Sequence, residues 1–234
     1  QESVNEVSWR VKVILATAWL SAHLAWVVAS KTQIPVVALP WESSTSWTTD
    51  STPSMVNMPP WIPNGFVKNQ EIAWKMLWKL MNLKKEDCQL LYVPEWLIND
   101  NQEMLDLLDL FWIKYTSDQS QATIWLDTYN IDELDIFHSD ISIPIVIPTW
   151  FWKISNDNVW KFLEELDRVD WLCMWYNLDS KVNLKNAIIY AAQIFWMFDI
   201  ELVKKLEKYR IESWFWVVEK NNDLIVQQLR NLKW

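Results

Sequence analysis

A chain turns tightly only where it has residues that tolerate a left-handed backbone, and this one offers a single glycine and twenty tryptophans in 234 residues. Ordinary usage would supply glycine at roughly 7% and far less tryptophan. Together the two counts approach a normal glycine complement. The tryptophans also stand where glycine is wanted. Trp112 follows the run Glu103–Phe111 and precedes Ile113-Lys114-Tyr115, where a helix should end in a left-handed residue. Trp61 lies in Met-Pro-Pro-Trp-Ile-Pro and Trp47 in Ser-Thr-Ser-Trp-Thr-Thr, both turn contexts suited to a residue without a β-carbon. We therefore expect most of these tryptophans to occupy glycine positions of the working protein. A UGA codon read as glycine in the source organism and written as tryptophan would produce this pattern.

The length suits one large or two small domains, and 51% hydrophobic content is ample for a packed core. No run of 18 apolar residues is present, so no transmembrane helix is expected. A net charge of −9 argues against binding a nucleic-acid backbone, which needs clustered Lys and Arg. It leaves room for a small phosphorylated ligand held by backbone amides. Cys88 and Cys173 are isolated, without metal-ligand spacing, and read as reduced, buried thiols of a cytoplasmic protein.

Short apolar runs alternate with longer amphipathic stretches, the pattern of an α/β fold with a parallel sheet. Strands are expected at Val11–Ala16, Val36–Leu39, Gln89–Tyr92, Ala122–Leu126, Ile145–Ile147 and Leu172–Met174. Helices are expected at Ala22–Ser30, Gln70–Met81, Gln102–Phe111, Val159–Leu166, Leu184–Phe195 and Ile200–Tyr209. Asn99 or Asp100 is positioned to cap the third helix, and Asn156 or Asp157 the fourth. Pro40–Pro63, rich in Ser, Thr and Pro, reads as a long functional loop. The chain also repeats itself loosely. Strand Val11–Ala16 leads to Gln33-Ile34-Pro35-Val36-Val37, and strand Ala122–Leu126 leads through Ile131–Ser139 to Ser142-Ile143-Pro144-Ile145-Val146. Two copies of one α/β unit are expected, residues 1–85 and 86–234, joined near Asn82–Asp87.

Ala16-Thr17-Ala18-Trp19-Leu20-Ser21-Ala22-His23-Leu24-Ala25-Trp26-Val27-Val28-Ala29 is the strongest local signal. With glycine at Trp19 and Trp26 it is a strand, a small-residue loop and a helix start bearing a histidine. Small residues admit a ligand close to the backbone, and the helix start offers unpaired amides to an anion. Histidine there can exchange protons near neutral pH. Taken alone, His23 also suits a merely structural helix-capping role, and Asp50-Ser51 a simple cap. His138 and the acidic run Asp132-Glu133-Asp135 read as a solvated helix face, and no metal site is expected.

From Ala16 to Ala29 the chain resembles the PurE family, the N5-carboxyaminoimidazole ribonucleotide mutases of purine biosynthesis. The likeness continues through Ile34–Pro40 and Ser43–Pro63, where Asp50-Ser51, Ser54, Val56, Met58-Pro59 and Ile62-Pro63 fall in step with the family pattern. Trp19, Trp26 and Trp61 land on family glycines, and Trp47 within one residue of another. Lys185–Phe195 and Asp199–Arg210 resemble the family's C-terminal helices.

The resemblance implies a three-layer αβα, flavodoxin-like parallel sheet, here internally duplicated. It implies carboxyl migration on a ribonucleotide without metal or organic cofactor. His23 would handle protons or orient substrate. Ala18, Trp19, Ser21, Ala22 and Leu24 would line the substrate pocket, and Ser43, Ser44 and Asp50 would belong to the loop that closes over it. The family's phosphate turn and its histidine loop have no match here. The first repeat would carry both upstream of Gln1, and the second has Tyr92–Asn99 where the turn belongs. That second copy is expected to serve structure or assembly. Family octamers imply a homo-oligomer for a duplicated chain, a tetramer with pseudo-octameric symmetry. A related nucleotide carboxylase or decarboxylase, or an inactive ligand-binding or scaffolding paralogue, are the alternatives.

Intact-mass measurement on protein from its native source is expected to fall below the mass of a chain with twenty tryptophans, by one tryptophan–glycine difference for each recoded position. A mass matching the written sequence would exclude the recoding.

Overall fold

The computed structural model describes residues 11–18, 24–40, 60–67, 69–129, 142–148, 172–173 and 180–231. The first parallel pair is β1 (Ile14–Ala18) and β2 (Val36–Pro40), joined by α1 (Leu24–Lys31). β3 (Gly65–Phe66) adds to β2 in parallel and leads into α2 (Gln70–Asn82). The second half begins with β4 (Leu91–Tyr92), α3 (Glu95–Asp100), α4 (Gln102–Leu110) and β5 (Tyr115–Thr116). It continues with β6 (Ile124–Tyr129), β7 (Ile143–Pro148), β8 (Leu172–Cys173), α5 (Ser180–Phe195) and α6 (Ile200–Asn231).

All these strands join one eight-stranded sheet, in the order β1-β2-β3-β8-β7-β6-β4-β5. Counted within the second half, β5-β4-β6-β7-β8 is the order 2-1-3-4-5 of flavodoxin-like sheets. Its neighbours are parallel throughout, so the α/β, flavodoxin-like expectation holds. One feature departs from a wholly parallel sheet. β3 and β8 pair antiparallel, through Phe66 and Cys173. The strands on either side of that seam therefore run in opposite directions. The order is also mirrored across it, with β1-β2-β3 facing β6-β7-β8.

β2 is buried along its whole length, as expected for a strand covered on both faces. Alternate residues Val37 and Leu39 join Ile143, Ile145 and Ile147 of β7 in one apolar cluster with α2 and α5. α2 shows why such a helix forms. The Asn69 side chain accepts from the amides of Glu71 at 2.7 Å and Ile72 at 3.4 Å, satisfying two otherwise orphaned donors. Ile72, Ala73, Met76, Leu77 and Leu80 then form its buried stripe, while Trp74 and Trp78 face solvent. The same helix touches β2 and β7, so it bridges the halves. Buried Lys79 strengthens that bridge by donating to the Ser142 carbonyl at 2.7 Å.

Several sequence expectations shift. β3 and β5 are too short to show in hydropathy. The expected strand at Gln89–Tyr92 shortens to Leu91–Tyr92 because Lys85–Cys88 winds into a 3₁₀ turn. Asn99 and Asp100 do not cap α4. They belong to α3, and Asn101 takes the cap position without a side-chain capping bond. α6 continues well past Tyr209, because Ser213-Trp214-Phe215-Trp216 read literally contains no helix breaker. The expected helices at Ile131–Ser139 and Val159–Leu166, with caps Asn156 or Asp157, lie outside the described residues.

Among the described residues, the non-glycine positions with positive φ are both tryptophans, Trp61 at 63° and Trp112 at 56°. Trp112 closes α4 in a Schellman arrangement. Its amide bonds to the Asp109 carbonyl at 3.0 Å, and the Ile113 amide reaches back to Leu108 at 2.9 Å. That geometry wants glycine at the left-handed position. Trp26, Trp74, Trp78, Trp96, Trp112 and Trp214 are all exposed, whereas Trp125 is buried and Trp61 and Trp196 pack against the core. The encoded glycine is where no side chain fits. A β-carbon at Gly65 would lie 2.8 Å from the Tyr190 hydroxyl and 2.9 Å from Leu172.

Two substitutions test this backbone reading by urea denaturation. Trp112→Gly is expected to stabilise the chain by about 1 kcal/mol through relief of left-handed strain. Gly65→Ala is expected to destabilise it by about 1–3 kcal/mol through overpacking. No gain from Trp112→Gly would remove the strain argument.

Candidate functional site

In a parallel sheet, ligands bind beyond the carboxyl ends of the strands, where the connecting loops gather. β1, β2 and β3 run parallel, so the chain leaving Ala18, Pro40 and Val67 does so at one edge. Both helices that follow begin at that edge. α1 starts at Leu24, immediately after His23 in the sequence, and α2 starts after its Asn69 cap. The positive ends of two helix dipoles favour an anionic group there, although at α2 the Asn69 side chain already takes the amides of Glu71 and Ile72. The antiparallel seam puts the corresponding carboxyl edge of the second half on the opposite side of the sheet.

Of the residues singled out from sequence, Ala18 ends β1 and Leu24 opens α1 with an exposed side chain. Trp19, Ser21, Ala22 and His23 fall between these two anchors, and Ser43, Ser44 and Asp50 follow β2. All seven lie outside the described residues, as do Asp132, Glu133, Asp135 and His138. The described frame brings the two ends of the 19–23 segment to the same edge as the start of the long loop. Thr17, one position before the end of β1, was not flagged by sequence. Its hydroxyl is buried without a hydrogen-bond partner among the described residues, so it is a polar group free to serve that edge. A threonine within an apolar strand run carries no sequence signal of its own.

A cavity of about 800 Å³ flanks α1 at its other end. Trp26, Thr32, Trp61, Trp196, Arg210 and Trp214 are among its lining residues. It lies beside the entry to β2 and is distinct from the carboxyl edge. Around it the second half reaches across. Arg210 donates to the carbonyls of Ala29 at 2.9 Å and Thr32 at 2.6 Å, and Trp196 donates to Gln33 at 2.6 Å. Burial lowers the Arg210 guanidinium to about 10, which still leaves it cationic at neutral pH.

Cys88, half-buried in the 3₁₀ turn between the halves, is the described free cysteine. It is thus less enclosed than the sequence suggests. Burial pushes its thiol up to about 12, with Asp87 adding to the effect, so it is no nucleophile at neutral pH. Among the described residues no cluster of three or more His, Cys, Asp or Glu could hold a metal, and no helix is long and apolar enough to cross a membrane.

Residues 1–89 match the family model described as AIR carboxylase. Comparison with curated proteins and with solved structures returned no match.

The Cys88 thiol gives a pH signature. Its folded-state pKa is raised, so the native chain keeps a proton that the unfolded chain releases above about pH 9. Its stabilising contribution is complete below that pH and is lost as pH rises toward 12. Cys88→Ala is expected to flatten the fall in unfolding free energy over this window relative to the parent chain. Parallel curves for the two proteins would count against the shift.

Proposed function

We propose, from the match of residues 1–89 to the AIR carboxylase family model, that this protein is an N5-carboxyaminoimidazole ribonucleotide mutase of purine biosynthesis. The observation that carries the reading is the Ala16–Ala29 motif. It lies within the matched region and starts in β1, whose end at Ala18 pairs with the end of β2 at Pro40, where the long loop begins. In the reaction the bond from the exocyclic nitrogen to its carboxyl carbon breaks, releasing carbon dioxide within the site. A carbon–carbon bond then forms at the neighbouring ring carbon, a proton leaves that carbon, and a proton joins the nitrogen. Nothing is oxidised or reduced.

His23, leading into α1, handles one of these protons or orients the ring. Ala18, Trp19, Ser21, Ala22 and Leu24 border the substrate, and Ser43, Ser44 and Asp50 close over it, excluding water while carbon dioxide is free. The amino end of α1 favours the phosphate through its dipole. The left-handed backbone at Trp61 and Trp112 supports glycine at those positions, and with them at Trp19 and Trp26, where a bulky ring would obstruct the loop.

Mirrored strand order across the β3–β8 seam supports an internal duplication, 1–85 and 86–234. In the second half Val93-Pro94 runs directly into α3, without the Ser and Asp residues of a phosphate turn. This favours a scaffolding role for that copy. On this reading the chain works in the cytoplasm, as a tetramer with pseudo-octameric symmetry.

The natural full-length protein is expected to interconvert N5-carboxyaminoimidazole ribonucleotide and 4-carboxy-5-aminoimidazole ribonucleotide. His23→Asn is expected to lower turnover by about 100-fold or more. Turnover undiminished in His23→Asn would overturn the assignment of this residue, and an inactive natural protein would leave the scaffolding paralogue as the better reading.

A further inference from the structure

The cavity of about 800 Å³ lies between the halves, with α1 and the residues that follow it on one side and α6 on the other. Junctions of this kind are favoured ligand sites, and a cavity of this size encloses a small molecule. Its apolar wall includes Ile34, Val203 and Ile211. The charged residues that line it are Lys31, Glu207 and Arg210, so the lining is net positive inside a chain of net charge −9.

Arg210 gives the cavity its character. Its guanidinium donates to the Thr32 and Ala29 carbonyls, which uses two of its five N–H donors. Both partners are neutral. Among the described residues no ion pair joins it to a carboxylate, although Glu207 stands one turn earlier on α6. A partly desolvated cation held only by neutral groups keeps a strong preference for an anion, and its planar fork matches the two oxygens of a carboxylate. Exposed Lys31 adds a second cation to the lining. Glu207 cancels one of the two, which favours a single negative charge over the nearly double charge of a phosphate monoester. Gln33 also lines the cavity, and its side-chain oxygen is buried without a hydrogen-bond partner. Its amide turns about a soft last torsion, so a ligand N–H or O–H supplies the missing donor.

None of these recognition groups is a tryptophan. Trp26, Trp61, Trp196 and Trp214 line the cavity as well, and glycine at any of them widens it while leaving the recognition side chains unchanged.

We propose that this cavity binds a small monocarboxylate with an apolar body, its carboxylate on Arg210 and Lys31 and its apolar part against Ile34, Val203 and Ile211. The site is distinct from the carboxyl edge of β1, β2 and β3, and it does not rest on the mutase reading. A ligand held there touches both halves of the chain.

Calorimetric titration of the natural full-length protein at low salt, with indole-3-acetate and with its neutral analogue indole-3-acetamide, tests the proposal. The acid is expected to bind about tenfold more tightly than the amide, the effect of a charge-assisted pair with Arg210. Arg210→Met should abolish this preference, and Arg210→Lys should keep part of it. Glu207→Gln removes an opposing charge from an exposed position and should tighten the acid about threefold, with the amide unchanged. Lys205→Met, on the same helix but outside the lining, should change neither ligand. Equal binding of acid and amide, or no binding of either, overturns the proposal. So does a preference for the acid that survives Arg210→Met, or one lost equally in Lys205→Met. Should Arg210→Met fail to fold, Glu207→Gln decides alone, and an unchanged affinity for the acid overturns the site.

Discussion

β3 and β8 meet through a single register pair, Phe66 with Cys173, and beside that seam there is no space for one more carbon atom. Gly65 lets the Tyr190 ring and Leu172 approach the β3 backbone, and the buried Tyr190 hydroxyl then reaches the Val36 carbonyl. Desolvation raises the pKa of that phenol, so it stays protonated and remains a donor. The rest of the architecture follows from this contact. With the seam closed, α2 can lie against β2 and β7 together, Lys79 can find Ser142, and apolar residues of both halves can form one cluster. A β-carbon at position 65 would press on the Tyr190 hydroxyl and on Leu172 and force them to shift.

The shortage of encoded glycine makes the helix ends informative. Three described helices end on a cation from elsewhere in the chain. Lys12 donates to Met81 and Leu83 around the end of α2, Lys205 to Leu110 at the end of α4, and Arg210 to Ala29 and Thr32 around the end of α1. Each supplies donors to carbonyls that a helix cannot satisfy internally, and each complements the helix dipole. These contacts are long-range, so they tie local helix stability to the tertiary fold. At α4 the cation works beside a left-handed turn at Trp112, and the Lys205 ammonium lies over that indole ring. Such stacking offsets part of the strain of a tryptophan in that conformation.

Much of the fold was legible because its signals are local. Continuous Val, Ile and Leu runs located β1, β2, β6 and β7, and the stripe Ile72, Met76, Leu80 with the Asn69 cap located α2. β3 and β5 were hidden because two residues carry no periodicity, and β3 also follows a proline-rich stretch. α3 was hidden because a single turn and a half after a proline has little amphipathic pattern. The candidate site rests on a different kind of signal. The order strand, small residues, histidine, helix is contiguous in sequence and singles out His23 as a candidate without any tertiary information, and His23 itself lies outside the described residues. Thr17 and Arg210 were not legible, since one is an unremarkable strand residue and the other lies far along the chain from the helix it closes.

The sequence by itself determined the α/β alternation, the first-half motif and the anomalous glycine count, because each depends on residue order over a few turns. The placement of tryptophan at left-handed positions was also foreseeable at Trp61 and Trp112, where turn chemistry and a helix end made the demand. Only the tertiary structure decided that the halves share one sheet and that β3 and β8 run antiparallel. It alone turned the second half's carboxyl edge away from the first half's and sent α6 back to the end of α1. Those features rest on contacts between residues more than a hundred positions apart. Such contacts are selected by whether whole surfaces pack, as Gly65 packs against Tyr190, and no local pattern encodes that choice.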